Sequence, residues 1–190
     1  VSLLKLAAIF LDRDGTLIED QHYPKDPEKV KLLPNAVEGL KLLREKGYLL
    51  FVVSNQSGVG RGLISDLEFK KVHEKFCAHL SDFHCRVDGF AYCFHTPEDK
   101  CFCRKPGIEL IPKKFGEHSI SWEDSFTVGD KICDLELADN LGGKGCLVLT
   151  GKGSETLSEL QRKMGYNKYQ IFSDLLAMAQ TVPDRKIKVS

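Results

Sequence analysis

Short apolar runs alternate with amphipathic segments along the chain. The runs are nearly all apolar, which is typical of strands in a parallel sheet whose two faces are both covered. Alternation of apolar and polar positions with a period of two is not their main feature, so we do not expect a sheet with one face in water. We predict strands over residues 6–12, 48–54, 89–94, 125–129 and 145–150.

Helical patterns fill the intervals between these runs. Ser65 and Glu68 form a capping box, which opens a helix whose buried stripe is expected to include Leu67, Val72 and Phe76. Glycines follow two of the other helical segments, as is common at helix ends. The predicted helices cover residues 35–46, a segment that opens at residue 65, residues 107–115 with Pro106 in the first turn, and residues 134–141, 154–164 and 174–180.

Strands that alternate with helices predict an α/β fold with a mostly parallel central sheet flanked by helices. The length of 190 residues suits one core, so we predict a single domain over residues 1–190. Ligands of such sheets bind beyond the carboxyl ends of the strands. The polar segments LDRDGT, VSNQSG and TVGDK each end a predicted strand, and we expect the functional site where they meet.

Charge and composition narrow the class of partner. Lysine plus arginine equals aspartate plus glutamate, 27 each, so no global field attracts nucleic acid or an anionic membrane. No apolar run approaches the roughly 18 residues of a membrane span, and the first residues lack a signal-peptide cleavage site. The odd count of seven cysteines favours a reducing compartment over a disulfide framework. We expect a cytoplasmic monomer without nucleic-acid or membrane partners.

Two aspartates, Asp12 and Asp14, follow the first predicted strand, and Gly15 comes next. In extended backbone, side chains at i and i+2 face the same side, and glycine permits the tight turn that follows. One carboxylate can attack an electrophile while its neighbour moves a proton to the leaving oxygen. The alternative is a plain turn at a strand end, since aspartate and glycine are common turn residues.

The other strand ends favour chemistry at phosphorus. A carboxylate about 4 Å from one phosphate charge is repelled by about 4 kcal/mol at an effective dielectric of about 20, so an attacking aspartate requires cations beside it. Mg²⁺ held by Asp12 and Asp130, with Lys105 opposite, would offset this repulsion. The groups that suit phosphoryl transfer are Ser54 and Asn55 after the second strand, Lys105 before a helix, and Asp130, Lys131 and Asp134 after the fourth strand.

The segments DRDGT, Ser54-Asn55, Lys105 and GDKICD resemble, in order and across most of the chain, the four motifs of the haloacid dehalogenase superfamily of phosphatases. The resemblance implies a Rossmann-like domain that requires Mg²⁺. It implies that Asp12 is the nucleophile and that Asp14 is the general acid and then the base. Ser54 and Asn55 would hold the phosphate, and Lys105 would neutralise its charge. Mg²⁺ would be bound by Asp12, the Asp14 carbonyl and Asp130, with Asp134 as a supporting carboxylate.

The segment YCFHTPEDKCFCRKPG clusters three thiols and one imidazole. Its two pairs, Cys93 with His95 and Cys101 with Cys103, are each spaced i, i+2, so two extended arms could point all four ligands inward. Three sulfurs and one imidazole form a closed tetrahedral zinc site. The alternatives are thiols of the core or a Cys101–Cys103 disulfide. Zinc would order the polar loop 93–103 and the RKP segment that follows it.

A zinc loop before CRKP, together with DRDGT and NQSG, resembles the D-glycero-D-manno-heptose-1,7-bisphosphate phosphatases and their relatives, the histidinol-phosphate phosphatases. Both are small enzymes without a cap domain. NQSGVGRG is similar to the heptose enzymes, whereas the five residues between His95 and Cys101 and the sequence RKPG favour the histidinol enzymes. We favour removal of the C7 phosphate of a heptose bisphosphate. The alternatives are hydrolysis of histidinol phosphate, a non-catalytic phosphosugar-binding module and a nucleic-acid end phosphatase.

Four further residues complete the predicted site. We expect Arg104, beside the zinc loop, and Lys131, beside the metal aspartate, to contact the substrate or its phosphate. The resemblance to the heptose enzymes puts Arg61 in a substrate-facing loop, and Thr16 is expected to orient the turn after Asp14. The remaining histidines show no ligand spacing and are expected in surface or packing roles, and the remaining cysteines are expected in the core: Cys77, Cys85, Cys133 and Cys146.

Overall fold

The computed structural model describes residues 5–162 and 166–185. Within these ranges one six-stranded sheet has the order β3-β2-β1-β4-β5-β6, and every neighbouring pair of strands is parallel. The strands are β1 (Ala8–Leu11), β2 (Leu49–Asn55), β3 (Gly89–Cys93), β4 (Phe126–Gly129), β5 (Lys144–Val148) and β6 (Gln170–Phe172).

Helices connect the strands. They are α1 (Ala36–Glu45), α2 (Ser57–Gly60), α3 (Asp66–Asp82), α4 (Leu110–Phe115), α5 (Ile132–Leu141), α6 (Gly153–Leu160) and α7 (Leu175–Thr181), with short 3₁₀ helices at Pro27–Lys29, Pro97–Asp99 and Tyr166–Lys168. None of the helices in the described residues combines the length and the hydropathy that a membrane-spanning segment needs.

Helices cover both faces of the sheet, so the central strands are buried on both sides. All four residues of β1 are buried. On one face, Leu40, Phe76 and Met178 of α1, α3 and α7 are fully buried. On the other face, the rings of Phe51 and Phe115 stack with their centroids 4.1 Å apart. Nearly all-apolar strands are typical of this arrangement, and the predicted α/β fold is confirmed.

The register of the central strands brings their polar ends to one edge. Leu11 at the end of β1 is paired with Val52 of β2 and with Val128 of β4. The residues that follow these three strands therefore emerge side by side. The chain leaves β1 toward β2 on one side and returns at β4 on the other, which creates the crevice where open α/β sheets bind ligands.

The structure changes some of the predicted elements. The predicted helix 107–115 begins only at Leu110, because Pro106 and Gly107 form a turn in which the Gly107 N–H donates to the Arg104 carbonyl at 2.7 Å. The capping box of α3 is confirmed, but Leu67 is 61% exposed. It lies in the first turn of α3, and the buried stripe begins one turn later with Val72.

Two segments near the end of the chain also differ from the prediction. The helix predicted over residues 154–164 is α6, Gly153–Leu160, and residues 163–164 lie outside the described residues. The strand β6 is absent from the prediction, because QIF is too short and too exposed to give an apolar run. Pairing with β5 orders it as a strand.

Candidate active site at the carboxyl edge of the sheet

A cavity of about 270 Å³ opens beyond the carboxyl ends of the central strands. Of the residues predicted from sequence, it is lined by Asp12, Asp14, Ser54, Asn55, Arg104, Lys105, Lys131 and Asp134. Residues that sequence analysis did not assign to the site also line it: Asp20, His22, Tyr23, Pro24, Gln56, Ser57, Gly58, Cys133 and Lys152.

Lys105 forms the centre of a buried charge cluster. Its ammonium lies 2.7 Å from Asp12 Oδ1 and 2.6 Å from Asp134 Oδ1, and it also donates to the Val53 carbonyl at 2.6 Å. Burial alone would lower the pKa of Lys105, but the two carboxylates raise it well above its usual value. The charged form of Lys105 is therefore favoured by the two carboxyl groups between which it is fixed.

The same contacts keep Asp12 ionised. Burial alone would raise the pKa of the Asp12 carboxyl, but Lys105 and Lys131 hold this pKa below its usual value. The Asp12 side chain is buried, and its backbone N–H donates to the Val128 carbonyl at 2.9 Å, which fixes it between β1 and β4. An ionised, immobilised carboxylate at the cavity wall has the form that a nucleophile requires.

Asn55 fixes the backbone of Lys105. Its side-chain Oδ1 accepts from the Lys105 N–H at 2.9 Å, and its Nδ2 donates to the Lys105 carbonyl at 3.1 Å. We expected this amide to hold a phosphate, and both of its polar atoms are instead engaged with the segment that follows the cysteine cluster. The side chain therefore positions Lys105 across a separation of 50 residues.

Three buried carboxylates at this edge fit a divalent cation. Ligand oxygens of Asp12, Asp130 and Asp134 all lie within 4.8 Å of one another. Asp130 is fully buried, its Oδ2 accepts from the Lys152 N–H at 2.8 Å, and its Oδ1 accepts no hydrogen bond. Burial first, and then the charge of Asp12, raises the pKa of Asp130 to about 7. A buried carboxylate oxygen that accepts no hydrogen bond is suited to a hard cation such as Mg²⁺.

The position of Lys131 supports the same conclusion. Its ammonium lies 3.3 Å from the Asp14 carbonyl oxygen. It is also 3.4 Å from Asp130 Oδ1 and 3.9 Å from Asp12 Oδ2. These oxygens belong to the three groups that the resemblance implies as Mg²⁺ ligands, and in the structure they surround one positive charge. A third carboxylate near the same ammonium is that of Asp20, whose Oδ2 lies 3.4 Å away.

The turn after Asp14 depends on Gly15. This residue has φ +92°, which L side chains rarely adopt, and a Cβ atom there would clash with the Asp130 carboxylate. Its carbonyl accepts from Thr150 Oγ1 at 2.7 Å, so the loop before α6 packs on the turn. Thr16 is buried beside it, and its hydroxyl has no hydrogen-bond partner among the described residues. The close packing of Gly15 on Asp130 holds the turn after β1 against the end of β4.

Asp14 is held by a buried arginine and a glutamine. Arg13 is fully buried, and its Nε and Nη2 each donate at 3.0 Å to the Asp14 carboxylate. Gln56 Nε2 donates to Asp14 Oδ2 at 2.6 Å and to Ser54 Oγ at 2.9 Å. The sequence motif singles out Asp14, and its two partners are found only in the folded chain.

The predicted cysteine–histidine cluster forms at the end of β3. Ligand atoms of Cys93, His95, Cys101 and Cys103 lie within 4.8 Å of one another, with Sγ–Sγ distances of 3.3 to 3.7 Å. Tetrahedral zinc with Zn–S bonds of about 2.3 Å has ligand–ligand edges of about 3.8 Å, so the geometry fits zinc. All cysteines are free thiols, and the alternative of a Cys101–Cys103 disulfide is wrong.

Two arginines, Arg104 and Arg61, contact the cysteine loop. Arg104 Nη1 donates to the His95 carbonyl at 3.3 Å, and its side chain reaches the cavity wall. Arg61 does not line the cavity. Its guanidinium lies 3.0 Å from Glu98 in the cysteine loop, so the structure assigns it a contact between this loop and the segment after α2.

Several wall residues carry no signal in the sequence. His22, expected at the surface or in packing, reaches the cavity from the loop before the first 3₁₀ helix. Cys133, expected in the core, also faces the cavity, and burial raises the pKa of its thiol to about 12, so the group is neutral. Lys152 is the residue directly before α6. Their positions depend on how distant loops meet, which local patterns do not encode.

The chain is similar to known phosphatases, both in a family model and in individual relatives. Residues 7–142 match a family model described as polynucleotide kinase 3 phosphatase. The chain is 32% identical over 175 residues to D-glycero-beta-D-manno-heptose-1,7-bisphosphate 7-phosphatase of Neisseria meningitidis serogroup A, covering 92% of this chain and 93% of that protein. It is 39% identical over 153 residues to the protein of the same name from Haemophilus ducreyi, covering 76% and 84%.

A solved structure resembles the fold closely. The crystal structure of D,D-heptose 1,7-bisphosphate phosphatase from B. bronchiseptica, complexed with magnesium and phosphate, matches with a TM-score of 0.83 and 29% sequence identity. The match covers 92% of this chain and 97% of that chain.

Proposed function

The chain belongs to the haloacid dehalogenase-type phosphatases, in the family of the D-glycero-D-manno-heptose-1,7-bisphosphate 7-phosphatases, and on that basis we propose that it removes the C7 phosphate of D-glycero-D-manno-heptose 1,7-bisphosphate. The observation that carries the chemistry is the ionised, buried Asp12, held 2.7 Å from the Lys105 ammonium. The substrate is proposed from the names of the relatives, to which the chain is similar over most of their length.

The first half of the reaction transfers the phosphoryl group to the enzyme. A carboxylate oxygen of Asp12 attacks phosphorus, and the bond from phosphorus to the C7 oxygen breaks. The electron pair leaves with that oxygen, which takes a proton from Asp14. Lys105 offsets the negative charge that Asp12 and the phosphate bring together.

The second half releases phosphate. A water oxygen attacks the phosphorus of the aspartyl phosphate, and Asp14, now a carboxylate, accepts the water proton. The acyl–phosphate bond breaks and returns the electron pair to Asp12. Arg104 and the Ser54 hydroxyl, both on the cavity wall, are the groups we propose to hold the substrate and its phosphate.

Mg²⁺ suits the carboxylate set, with Asp12, the Asp14 carbonyl and Asp130 as its ligands. When bound, it supplies the positive charge that draws the phosphate toward the nucleophile. Asp134 positions the two lysines. Its Oδ1 pairs with the Lys105 ammonium, and its Oδ2 accepts from the backbone N–H of Lys131 at 3.1 Å. These contacts hold both lysines in place around the reacting carboxylate.

We also propose that Cys93, His95, Cys101 and Cys103 bind a structural zinc ion. Four protein ligands fill the coordination shell of zinc and leave no open position for substrate, so this metal would order the loop and take no part in the reaction. We propose the cytoplasm as the compartment, because a reducing environment favours free thiols and thiolate ligands. A monomer stays a prediction.

The proposed function is tested by a side-by-side assay with Mg²⁺ on both anomers of the heptose bisphosphate, histidinol phosphate and a 3′-phosphorylated oligonucleotide. We expect the highest kcat/KM on a heptose bisphosphate. The description of the matching family model favours including the oligonucleotide, although equal numbers of basic and acidic residues give no general attraction to nucleic acid. Preference for the oligonucleotide or for histidinol phosphate, or binding without turnover, would contradict the proposal.

A further inference from the structure

Gln56 joins several parts of the site. It follows β2 directly, is buried, and lines the cavity. Its backbone N–H donates to the Cys93 carbonyl at 2.7 Å, while its side chain contacts Asp14 and Ser54. The sequence places it in the NQSG motif, yet neither the phosphate contacts nor the metal ligands account for it.

The hydrogen bonds to Asp14 are unequal at its two oxygens. Oδ2 accepts from Arg13 Nε at 3.0 Å and from Gln56 Nε2 at 2.6 Å. Oδ1 accepts one hydrogen bond, from Arg13 Nη2 at 3.0 Å, and the same Nη2 lies 2.9 Å from Oδ2. Each carboxylate oxygen has two lone pairs. Both lone pairs of Oδ2 are therefore occupied, and Oδ1 keeps one that is free to carry a proton.

Arg13 fixes which end of the Gln56 amide faces Asp14. Its Nη2 donates to Gln56 Oε1 at 3.0 Å. If the amide were turned over, its NH₂ group would face the guanidinium, and two donors would meet. Arg13 has little freedom to avoid this, because it is fully buried and its guanidinium carbon lies 5.8 Å and 5.7 Å from the ring centroids of Phe69 and Tyr92. The Nε2 group is thus committed to Oδ2.

We propose that Gln56 is a positioning residue for the acid–base step. Together with Arg13 it occupies Oδ2, so that Asp14 exchanges its proton through Oδ1. In the first half-reaction the bond from phosphorus to the leaving oxygen breaks, and that oxygen takes the proton from Oδ1. In the second, the attacking water gives its proton to Oδ1. The inference rests on the proposed function, because it requires hydrolysis through Asp12 and Asp14.

The leaving group distinguishes this role from a merely structural one. An alkoxide is a poor leaving group and needs the proton of Asp14, whereas nitrophenolate departs without one. The ratio of kcat/KM for a primary alkyl phosphate to kcat/KM for p-nitrophenyl phosphate therefore reports the acid step alone. Effects on phosphate binding or on Asp12 are common to both substrates and cancel in this ratio.

The test variant is Gln56→Met, which keeps the length and removes the donor. We expect kcat/KM for the alkyl phosphate to fall by about a hundredfold, in the range of general acid catalysis, and the ratio to fall by about tenfold or more. Gln56→Leu serves as a second variant if the first does not fold, as judged by circular dichroism and thermal melting.

Asn55→Ala is the matched control. Asn55 precedes Gln56 in the chain and makes two hydrogen bonds to the Lys105 backbone. Because Lys105 offsets the charge of the phosphate whatever the leaving group, this variant should lower kcat/KM for both substrates equally.

A ratio in the Gln56 variants that stays within about threefold of the wild-type ratio overturns the inference, because general acid catalysis contributes more than this. A wild-type enzyme that hydrolyses alkyl and aryl phosphates but leaves the heptose bisphosphate untouched overturns the proposed substrate instead. In that case the ratio still tests Gln56.

Discussion

Lys105 is the residue on which the charge balance of the site depends. It separates the carboxylates of Asp12 and Asp134, both of which it contacts within 2.7 Å. The motif in the sequence identifies a lysine at this position, but the second carboxylate contact and the Asn55 clamp on its backbone depend on strands and loops that are distant in sequence. These contacts are therefore visible only in the folded chain.

The variant Lys105→Met should abolish turnover and destabilise the fold. Removing one partner of a buried ion pair leaves uncompensated charge, which costs about 3 to 5 kcal/mol in the free energy of unfolding. Urea denaturation measures this loss. The matched control is Lys113→Met, whose exposed pair with Glu109 should contribute less than about 1 kcal/mol. Equal stability losses in the two variants would contradict a buried charge cluster.

For Arg61, the role expected from the sequence differs from the contact that the structure shows. The resemblance to the heptose enzymes implies a substrate contact, whereas the structure pairs Arg61 with Glu98 at an exposed position. From the contact we expect Arg61→Met and Glu98→Gln to change kcat/KM by similar small factors, within about fivefold, because exposed ion pairs contribute about 1 kcal/mol or less. A large rise in KM for Arg61→Met alone would show that Arg61 contacts substrate.

At the scale of elements, the loop between β3 and α4 carries its ligands and its basic residues in one short segment. It has a single short 3₁₀ helix, Pro97–Asp99, with no buried residues, so its order depends on the cysteine–histidine cluster and on the Asn55 contacts with Lys105. The pairs at i, i+2 were sufficient to predict this cluster. The prediction of a helix from residue 107 was wrong, because the turn at Gly107 delays α4 to Leu110.

Loss of one of the four proposed zinc ligands should loosen this loop. We expect Cys101→Ser to lower the zinc content below about one ion per chain, to increase hydrogen exchange over residues 94–104, and to lower kcat/KM because Arg104 and Lys105 lose their placement. Cys77→Ser is the matched control, since Cys77 is a free thiol outside the cluster. Wild-type protein that is purified without chelator and contains no zinc would refute the assignment.

At the scale of the whole molecule, the alternation of apolar runs and helical patterns was enough to predict the fold class and the edge of the sheet at which the cavity lies. The parallel sheet and the strand order then bring residues 12, 54 and 130 together. Short elements such as β6, and wall residues such as His22, Gln56 and Lys152, were not predictable, because tertiary contacts fix them and local sequence periodicity does not.

The most direct test of the mechanism is to trap the covalent intermediate. The enzyme is mixed with heptose bisphosphate carrying radioactive phosphorus at C7, quenched in acid within one turnover, and digested for peptide mapping. We expect one base-labile label on the peptide that contains Asp12, and none in Asp12→Asn. A label on any other residue, or turnover without a label on the protein, would contradict attack by Asp12.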